Sequence, residues 1–528
     1  MIEDITLRVD PEIAATPELL ERKIRGVAPA KVNDWEIVRR SVDARKKNIV
    51  INITVRVAYG EDKKVKSGYV PVEFHDVGKA RHSVVIVGSG PAGLFAALRC
   101  IMLGIRPIVL ERGKDVDARR IDIANLNRER KVDPESNYCF GEGGAGTFSD
   151  GKLFTRSKKR GNPAEVLSLL VQHGANENIL IDSHPHIGSD KLPGIMKSIR
   201  QTIINSGGEV HFRTRVDKII VEDGKVKGVV TSAGKELPAD VVILATGHSA
   251  RDVYRNLDRD GIRLESKGLA VGVRLEHPQN LIDRIQYHNP AGRGRWLPAA
   301  EYSFVTQVDG RGVYSFCMCP GGVVVPASSG PEELVVNGMS ASARSSVWAN
   351  SGMVVEIRPG DFPEYADRGV FEMLDFVENL EKDFYRKSDN SIIAPAQRMT
   401  DFVEGKDSAT IPPSSYLPGL YPARMDHLLP DFIATRLRQG FKDFGRKAKD
   451  FLSKDAVLIG LESRTSSPVR IPRDKETLCH TDVSGLYPAG EGAGYAGGIV
   501  SAAIDGMRCA QQAALFLKDN TDNKECQI

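Results

Sequence analysis

The chain has 528 residues, of which 41% are apolar and 27% charged, and its formal net charge is +3. This length exceeds what one hydrophobic core organises, so two or three domains are expected, and the composition excludes a fibrous or disordered protein. The nearly balanced charge gives no argument for nucleic acid or an anionic membrane as the main partner.

The first residues and the cysteines favour a cytoplasmic protein without a membrane span. Residues 1–4 carry acids where a signal peptide carries lysines, and the longest apolar runs, such as residues 84–87, have the length of a strand. The seven cysteines are scattered and contain no zinc-type CxxC pair, which is typical of a reducing compartment.

Residues 1–80 predict a small α+β module of β-α-β-β order. A strand at residues 5–9 and a helix at 17–27 precede two strands, and residues 49–57 alternate between apolar and polar side chains. That period of two predicts a strand with one buried face.

A basic cluster accompanies the last two strands of this module and consists of Arg39, Arg40, Arg45, Lys46 and Lys47. Two interpretations are open, a solvated strand edge protected by charge and a patch that binds RNA or phosphate. The first is favoured, because Asp43 dilutes the positive charge.

Residues 84–111 predict a nucleotide-binding β-α-β unit. Gly88 permits a tight turn from strand to helix, Gly90 lets the backbone approach a pyrophosphate, and Gly93 allows close packing of the helix. Glu111 ends the next strand, 18 residues after Gly93, where its carboxylate could accept hydrogen bonds from ribose hydroxyls. The fingerprint candidates for cofactor contact are Gly88, Ser89, Gly90, Pro91, Ala92, Gly93, Glu111 and Arg112.

The following residues predict further helices at 164–173 and 190–206 and a hairpin of residues 209–222 with 225–231. After residue 264 glycine, proline and alternating strands dominate to about 330, and helices return at 369–386 and 430–452. This pattern predicts a nucleotide domain in two parts, 81–264 and 456–528, with a substrate or cap domain at 265–455 inserted between them.

Two later motifs favour FAD over NAD, which the fingerprint alone leaves open. Ala245, Thr246 and Gly247 resemble the "ATG" segment of two-dinucleotide-type flavoproteins, and residues 481–491 resemble the strand that closes their FAD site. That resemblance implies that Gly490 and Glu491 reach the ribityl chain, with glutamate in place of the commoner aspartate. The helix after Gly497, Gly498 and Ile499 would direct its amides at the flavin ring.

Two further GxGxxG runs, at 141–146 and 492–497, lack the strand and helix of a second nucleotide fold. A nicotinamide donor, NADH or NADPH, would therefore bind transiently over the flavin or in the cap domain.

Several segments together resemble a bacterial family of uncharacterised FAD-dependent dehydrogenases of the glutathione-reductase-like superfamily; they are residues 140–153, 183–188, 245–252, 316–322 and 462–470. The resemblance implies an α/β protein, with a Rossmann-like FAD domain of three β/β/α layers, an inserted α+β cap and the N-terminal module. It places the loop at 141–153 against the FAD. The remaining candidates for FAD contact are Gly143, Gly144, Gly146, Thr147 and Val216.

Candidate catalytic residues are Lys152 and His248 for proton transfer and Arg464 for anchoring an anionic substrate. His184 and His186 form an HxH pair, for which loop capping or a hydrogen bond beside the flavin is favoured over metal binding. No metal site is expected.

Cys317 and Cys319 form a CxC pair, read either as a redox-labile disulfide or, with more weight, as two ordinary half-buried thiols.

The sequence thus predicts an FAD-dependent oxidoreductase that moves a hydride between a small organic substrate and flavin N5. Two alternatives stay open. One is a flavin-dependent factor that docks RNA or protein through the N-terminal module, and the other is a flavoprotein whose FAD is not catalytic.

Overall fold

The structure, a computed structural model, describes residues 1–60, 64–65, 69–155 and 161–525, so Cys526 lies outside the described residues. It is a mixed α/β protein, as the sequence predicts. The first segment contains β1 (Ile2–Val9), α1 (Pro11–Ala15), α2 (Pro17–Val27), β2 (Val32–Asp43) and β3 (Val50–Tyr59). Its strands form an antiparallel sheet in the order β1-β3-β2.

The predicted alternation in β3 is confirmed, because Ile53, Val55 and Val57 are fully buried against α2 while the residues between them are partly exposed. The basic cluster is partly engaged within the chain. Arg40 pairs with Asp182 at 2.8 Å, and Arg45 pairs with Asp43. These pairs leave less positive charge for a polyanionic partner than the sequence suggests.

The next segment alternates strands and helices. It contains β4 (Ser83–Val87), α3 (Pro91–Met102), β5 (Arg106–Leu110), α4 (Val116–Glu129), α5 (Pro163–Gln172), α6 (Asn178–Ile181), α7 (Leu192–Asn205), β6 (Glu209–His211), β7 (Val216–Glu222), β8 (Lys225–Thr231), β9 (Glu236–Pro238), β10 (Val242–Leu244) and α8 (Arg251–Arg259).

The remaining segment begins with strands and ends in a long helix. It contains β11 (Glu265–Ser266), β12 (Leu269–Pro278), α9 (Gln279–Gln286), β13 (Val305–Val308), β14 (Arg311–Cys319), β15 (Val323–Pro326), β16 (Val336–Met339), β17 (Trp348–Ile357), α10 (Glu372–Lys387), β18 (Ala394–Arg398), α11 (Met399–Glu404), β19 (Leu420–Pro422), α12 (Met425–Leu428), α13 (Asp431–Lys447), β20 (Val457–Glu462), β21 (Val469–Arg470), β22 (Leu486–Pro488) and α14 (Ile499–Glu525).

A five-stranded parallel sheet has the order β22-β10-β4-β5-β6. Side chains on one of its faces, such as Val84 and Ile86, share a buried cluster with α3, α7 and α14. Side chains on the other face, such as Val85 and Val87, pack with β7 and β8 of the three-stranded sheet β7-β8-β9. The sheet is therefore covered on both sides, which suits its nearly continuous apolar strands.

The predicted hairpin of 209–222 with 225–231 is wrong in its first arm. Residues 209–211 join the parallel sheet as β6, and the hairpin consists of β7 and β8 alone. Arg213 lies between β6 and β7 with a φ of 52°, a left-handed conformation that interrupts an extended strand. Composition did not reveal this break, because arginine carries no turn preference.

A second, mainly antiparallel sheet has seven strands in the order β13-β14-β17-β12-β20-β18-β19. Its central strands share the largest buried cluster with α10 and α13. In the described part of the chain no helix is long and apolar enough to cross a membrane.

Candidate functional site

A deep cavity opens at the carboxyl ends of the parallel strands. Val87, Leu110, Ala245 and Ala489 line it, each at or just after the end of a strand of that sheet. The opposite wall comes from β14 and β16 of the other sheets, at residues 316–319 and 337–338. Ligands of open α/β sheets bind at this edge, so the cavity is the candidate site.

The glycine fingerprint forms one end of the cavity. Gly88 has a φ of 105°, and a Cβ there would collide with the carbonyl oxygen of Ala245. A Cβ on Gly93 would collide with the carbonyl of Gly88, so this glycine lets α3 pack against the turn. No side chain caps the amino end of α3, and its first residues Pro91 and Ala92 line the cavity. An anionic group such as a phosphate fits this uncapped helix end.

Glu111 holds the fingerprint turn against the neighbouring loop. Its Oε2 accepts from the amide and hydroxyl of Ser89 at 2.9 and 2.7 Å, and its Oε1 accepts from the amides of Gly113 and Gly141 at 2.8 and 3.1 Å. A carboxylate offers about four lone-pair positions, and these four donors use them. Glu111 lines the cavity, but a ribose hydroxyl would have to share its oxygens with the donors already bound.

Arg119 organises the loop at 137–142, a role that no sequence motif indicates. Its fully buried guanidinium donates to the carbonyls of Asn137, Tyr138 and Glu142 at 2.8, 2.9 and 2.8 Å, and more weakly to that of Gly141. Burial lowers the pKa of Arg119 to about 10. Because the loop lines the cavity, a buried cation that bonds to backbone carbonyls fixes that part of the wall.

Most of the predicted cofactor residues line the cavity. They are Gly88, Gly90, Pro91, Ala92, Glu111, Arg112, Gly144, Gly146, Val216, Ala245, Thr246, Gly247, Gly490, Glu491, Gly498 and Ile499. Five predicted residues are not among those that line the cavity, namely Ser89, Gly93, Gly143, Thr147 and Gly497. Gly143 and Thr147 support the wall from behind, since the amide of Gly143 donates to Ser89 and the Thr147 hydroxyl donates to the carbonyl of Glu142.

His248 and Glu491 meet on the cavity wall, with His248 Nδ1 at 3.4 Å from Glu491 Oε2. The other ring nitrogen of His248, Nε2, is buried and has no hydrogen-bond partner in the protein. A buried polar atom without a partner is costly unless a ligand or water satisfies it. The unpaired Nε2 of His248 is therefore what we expect if a polar ligand occupies the cavity and forms a hydrogen bond with it.

Lys152 lies on the same wall and its ammonium donates to the carbonyl of Met318 in β14. Next to it Asp150 forms a buried two-point ion pair with Arg344, at 3.0 and 2.5 Å. These contacts join the glycine-rich loop to the second half of the chain.

The HxH pair supports the loop around Lys152. His184 Nδ1 lies 2.5 Å from Glu301, and His186 Nε2 lies 3.1 Å from the carbonyl of Ser342. Burial alone would raise the pKa of Glu301, but the His184 hydrogen bond and the Lys152 charge lower it to about 2. Among the described residues no group of three histidine, cysteine or acidic side chains could hold a metal ion.

Arg464 lines the cavity from within a buried ionic network. It donates to Glu381 at 3.0 and 3.1 Å and to Glu333 at 2.8 Å, and Arg251 donates to both oxygens of Glu381 at 2.8 Å. Its Nη1 is buried and has no partner in the protein. Most of this guanidinium is thus engaged, and only Nη1, with its two N–H bonds, is left for a ligand.

Several lining residues were not singled out from the sequence, among them Tyr138, Phe148, Asp150, Arg215, Val325 and Asn337. Asp150 had a usable signal, since it is the first acid after the glycine-rich run at 141–146. Phe148 lies in the loop at 141–153 that the resemblance placed against the FAD, although it was not named as a contact. The remaining residues carry no local motif.

Three stretches of the chain match family models. Residues 268–465 match "FAD-dependent protein, C-terminal domain-like", residues 193–334 match "FAD dependent oxidoreductase", and residues 1–58 match a domain of unknown function. The two larger matches support FAD and an oxidoreductase-type chain.

Full-length similarity is found to an uncharacterized protein of Clostridium beijerinckii, 40% identical over 532 residues, with 97% of each chain covered. Protein FixC of Salmonella typhi is 27% identical over 219 residues, which span 39% of this chain and 46% of that protein. A geranylgeranyl bacteriochlorophyll reductase-like structure from Thermoplasma acidophilum has a TM-score of 0.34 at 14% identity, covering 83% of this chain and 80% of that one.

Proposed function

The chain belongs to the family of the uncharacterized Clostridium beijerinckii protein. We propose that this chain is an oxidoreductase whose bound FAD exchanges a hydride with a small organic substrate. FAD would supply the redox chemistry at N5 of its flavin ring. The parallel sheet and its two covering layers, in residues 81–264 and 456–528, would form a β/β/α FAD domain. Residues 265–455 would form the substrate cap, and residues 1–80 a separate module.

The observation that carries this proposal is the convergence of the FAD-type motifs on one cavity. The uncapped end of α3 suits the pyrophosphate, and Val216 lies beside the fingerprint end, where the adenosine half would bind. Glu491 and the amino end of α14 at Ile499 line the part suited to the ribityl chain and flavin.

Three side chains would act on the substrate. Lys152 and His248 are the candidates for holding or moving a proton, since both line the cavity and His248 Nε2 has no protein partner. Arg464 would contact an anionic group through its free Nη1 only, because two carboxylates hold the rest of the guanidinium. A substrate with one carboxylate or similar group suits this geometry.

A nicotinamide would act as a transient electron donor in this scheme. Both extra GxGxxG runs belong to loops beside the cavity, and neither starts a strand-helix unit in the described residues. NADH or NADPH would therefore occupy the substrate side of the same cavity and leave before the substrate enters.

The test is the visible spectrum of the purified protein, followed by FAD release and anaerobic reduction with NADH, NADPH and a panel of reduced metabolites. We expect about one FAD per chain and bleaching by at least one donor. Lys152→Met should keep its FAD but bleach at least about 100-fold more slowly, as loss of a general acid or base does. Lys191→Met, at an exposed lysine, is the control and should bleach normally.

Two results would contradict the proposal. A protein that stays colourless after reconstitution with FAD would show that the chain does not bind FAD. A yellow protein that only dithionite bleaches would favour a flavoprotein whose FAD is not catalytic.

A further inference from the structure

Cys317 and Cys319 lie together on the cavity wall opposite the fingerprint, near the end of β14. Cys317 is exposed, and its accessible surface opens into the cavity, whereas Cys319 is 2% exposed. Both are free thiols. One cysteine is thus open to a ligand while the second lies behind it.

The backbone between the two cysteines is irregular. The pairing of β14 with β17 shifts between Phe316 and Cys319, so β14 carries an extra residue there, and Cys317 has a φ of 45°. Residues two positions apart span at most about 7 Å when extended, and a bulge shortens this span. A disulfide joins Cα atoms about 4.4–6.8 Å apart, so the pair is within bonding range.

A buried arginine fixes both cysteines. Arg274 Nη2 donates to the carbonyl of Cys317 at 2.8 Å and lies 3.4 Å from Cys319 Sγ. Arg274 is fully buried and pairs with Glu462 at 3.1 Å. Gly338 on the cavity wall makes room for it, since a Cβ there would collide with the guanidinium. A left-handed cysteine therefore persists because the structure behind it holds its carbonyl.

Cys317 shares the cavity lining with Lys152 and Glu491. Desolvation inside the cavity raises the pKa of Cys317, Lys152 and Arg274 oppose that rise, and Glu462 and Glu491 add to it. Burial also raises the pKa of Cys319 to about 12. Both groups are therefore mainly protonated at neutral pH, and the charges of Lys152 and Arg274 favour the reactive thiolate form of Cys317.

We propose that Cys317 and Cys319 are a redox-active thiol pair that exchanges two electrons with the bound FAD and with a small disulfide compound. This inference rests on the proposed function, because it needs FAD in the cavity, and it adds a substrate class to that site. Both cysteines line the cavity, but only Cys317 is exposed, so Cys317 is the attacking thiol and the buried Cys319 is the resolving thiol.

The electrons and atoms balance in two steps. In the first, Cys317 sulfur bonds to one sulfur of the incoming disulfide and releases a thiol; Cys319 then bonds to Cys317 and releases the second thiol. The two protons of the protein thiols pass to the released thiols. In the second, Cys317 and Cys319 would return from the disulfide to two thiols, and bound FAD in its reduced form would supply the two electrons and two protons.

The test counts the electrons that the FAD-loaded protein accepts. The protein is treated with oxidised glutathione, desalted and titrated anaerobically with dithionite. We expect four electrons per FAD, two for the flavin and two for the disulfide. Cys317→Ser should accept two. Cys319→Ser should instead keep glutathione on Cys317 as a mixed disulfide, and this variant should release one glutathione per chain on reduction.

Cys479→Ser is the matched control and should still accept four electrons. Cys479 is partly buried outside the described lining of the cavity, and its thiol donates to the carbonyl of Val483 at 3.4 Å. Two electrons per FAD in the unchanged protein would overturn the proposal, as would four in Cys317→Ser.

A colourless protein would overturn both the proposed function and the electron exchange with FAD. The visible spectrum, recorded before the titration, tests whether FAD is bound. Alkylation of the denatured protein after oxidation then tests the pair by itself. Two fewer reactive thiols than the seven in the sequence would support a disulfide between Cys317 and Cys319, provided that Cys317→Ser abolishes the loss and Cys319→Ser loses only the one thiol that carries glutathione. A full set of seven would overturn the pair.

Discussion

Arg119 shows how one buried side chain shapes a ligand site without touching the ligand. It donates to several carbonyls of the loop at 137–142, yet the sequence offers only an arginine in a charged helix, next to Arg120, which is exposed. The two arginines look alike in sequence because the loop that distinguishes them follows later in the chain. The roles of the fingerprint glycines were predictable from sequence because a local turn requires them. The role of Arg119 was not predictable, because it depends on a loop that lies elsewhere in the chain.

Arg119→Met should lower FAD content at least tenfold, because it leaves buried carbonyls of the cavity wall without donors. Arg120→Met removes a neighbouring exposed charge and should keep the FAD content of the unchanged protein. The measurement is the FAD released per chain after equilibration with excess cofactor and desalting. Equal FAD in both variants would mean that the loop at 137–142 does not hold the cofactor.

His277 makes stability depend on pH. Its Nε2 bonds to the carbonyl of Phe451 at 2.9 Å, while Nδ1 is buried and has no partner. The neutral ring must carry its proton on Nε2, and a second proton on Nδ1 would find no acceptor. Burial accordingly lowers the pKa of His277 to about 4.

Between pH 6.5 and 4 the unfolded chain binds a proton at this position that the folded chain does not, so stability falls as the pH falls. The loss reaches up to about 3 kcal/mol at pH 4. His277→Gln keeps an amide donor for Phe451 and should flatten the pH dependence of urea unfolding by about one proton. His427→Gln, at an exposed histidine, should leave the slope unchanged. Parallel curves for all three proteins would contradict this role.

At the scale of elements, the sequence predicted best where a rule is local. The strand, turn, helix and strand at 84–111 follow from glycine positions and apolar runs, and the structure has them as β4, α3 and β5. The break between β6 and β7 was missed, because it depends on which sheet each strand joins. The helix α4 was missed as well, since its amphipathic signal is weak and only Val116, Arg119, Ile123 and Leu126 are buried.

Two helical glycines offer a matched test of the fingerprint. Gly93→Ala in α3 should abolish FAD binding and destabilise the protein, because its Cβ would collide with the backbone of Gly88. Gly194→Ala in α7 should stabilise the protein by about 0.5–1 kcal/mol, since no atom lies within 4 Å of the added Cβ. FAD content and urea midpoints measure both. Normal FAD in Gly93→Ala would contradict the assigned packing.

At the scale of the molecule, separate parts of the chain meet in the buried ionic network at the cavity. Arg251 comes from α8, Glu381 from α10, Arg464 from the segment after β20, and Glu333 from the loop before β16. The sequence suggested Arg464 as a substrate anchor, and the structure shows that salt bridges to Glu333 and Glu381 hold most of its guanidinium. No spacing rule connects residues so far apart, so the network was beyond prediction.

Glu381→Gln should destabilise the protein by about 3–5 kcal/mol, because it leaves Arg251 and Arg464 buried with one carboxylate fewer. Glu378→Gln lies on the same helix and pairs with Arg255, whose side chain is 42% exposed, so its cost should stay below about 1 kcal/mol. Urea unfolding of the purified proteins measures both. Equal costs would mean that the buried network is not needed for stability.

The position of β22 has a consequence for how the protein is made. This strand lies at the edge of the parallel sheet beside β10, although residues 244 and 488 that pair there are separated by the whole seven-stranded sheet in sequence. A ribosome adds about 5–20 residues per second, so β4, β5 and β10 wait many seconds for Gly490, Glu491 and α14. Until then the nascent chain lacks Gly490, Glu491 and Ile499 from the cavity lining, so we expect the cofactor to bind only after α14 has been synthesised.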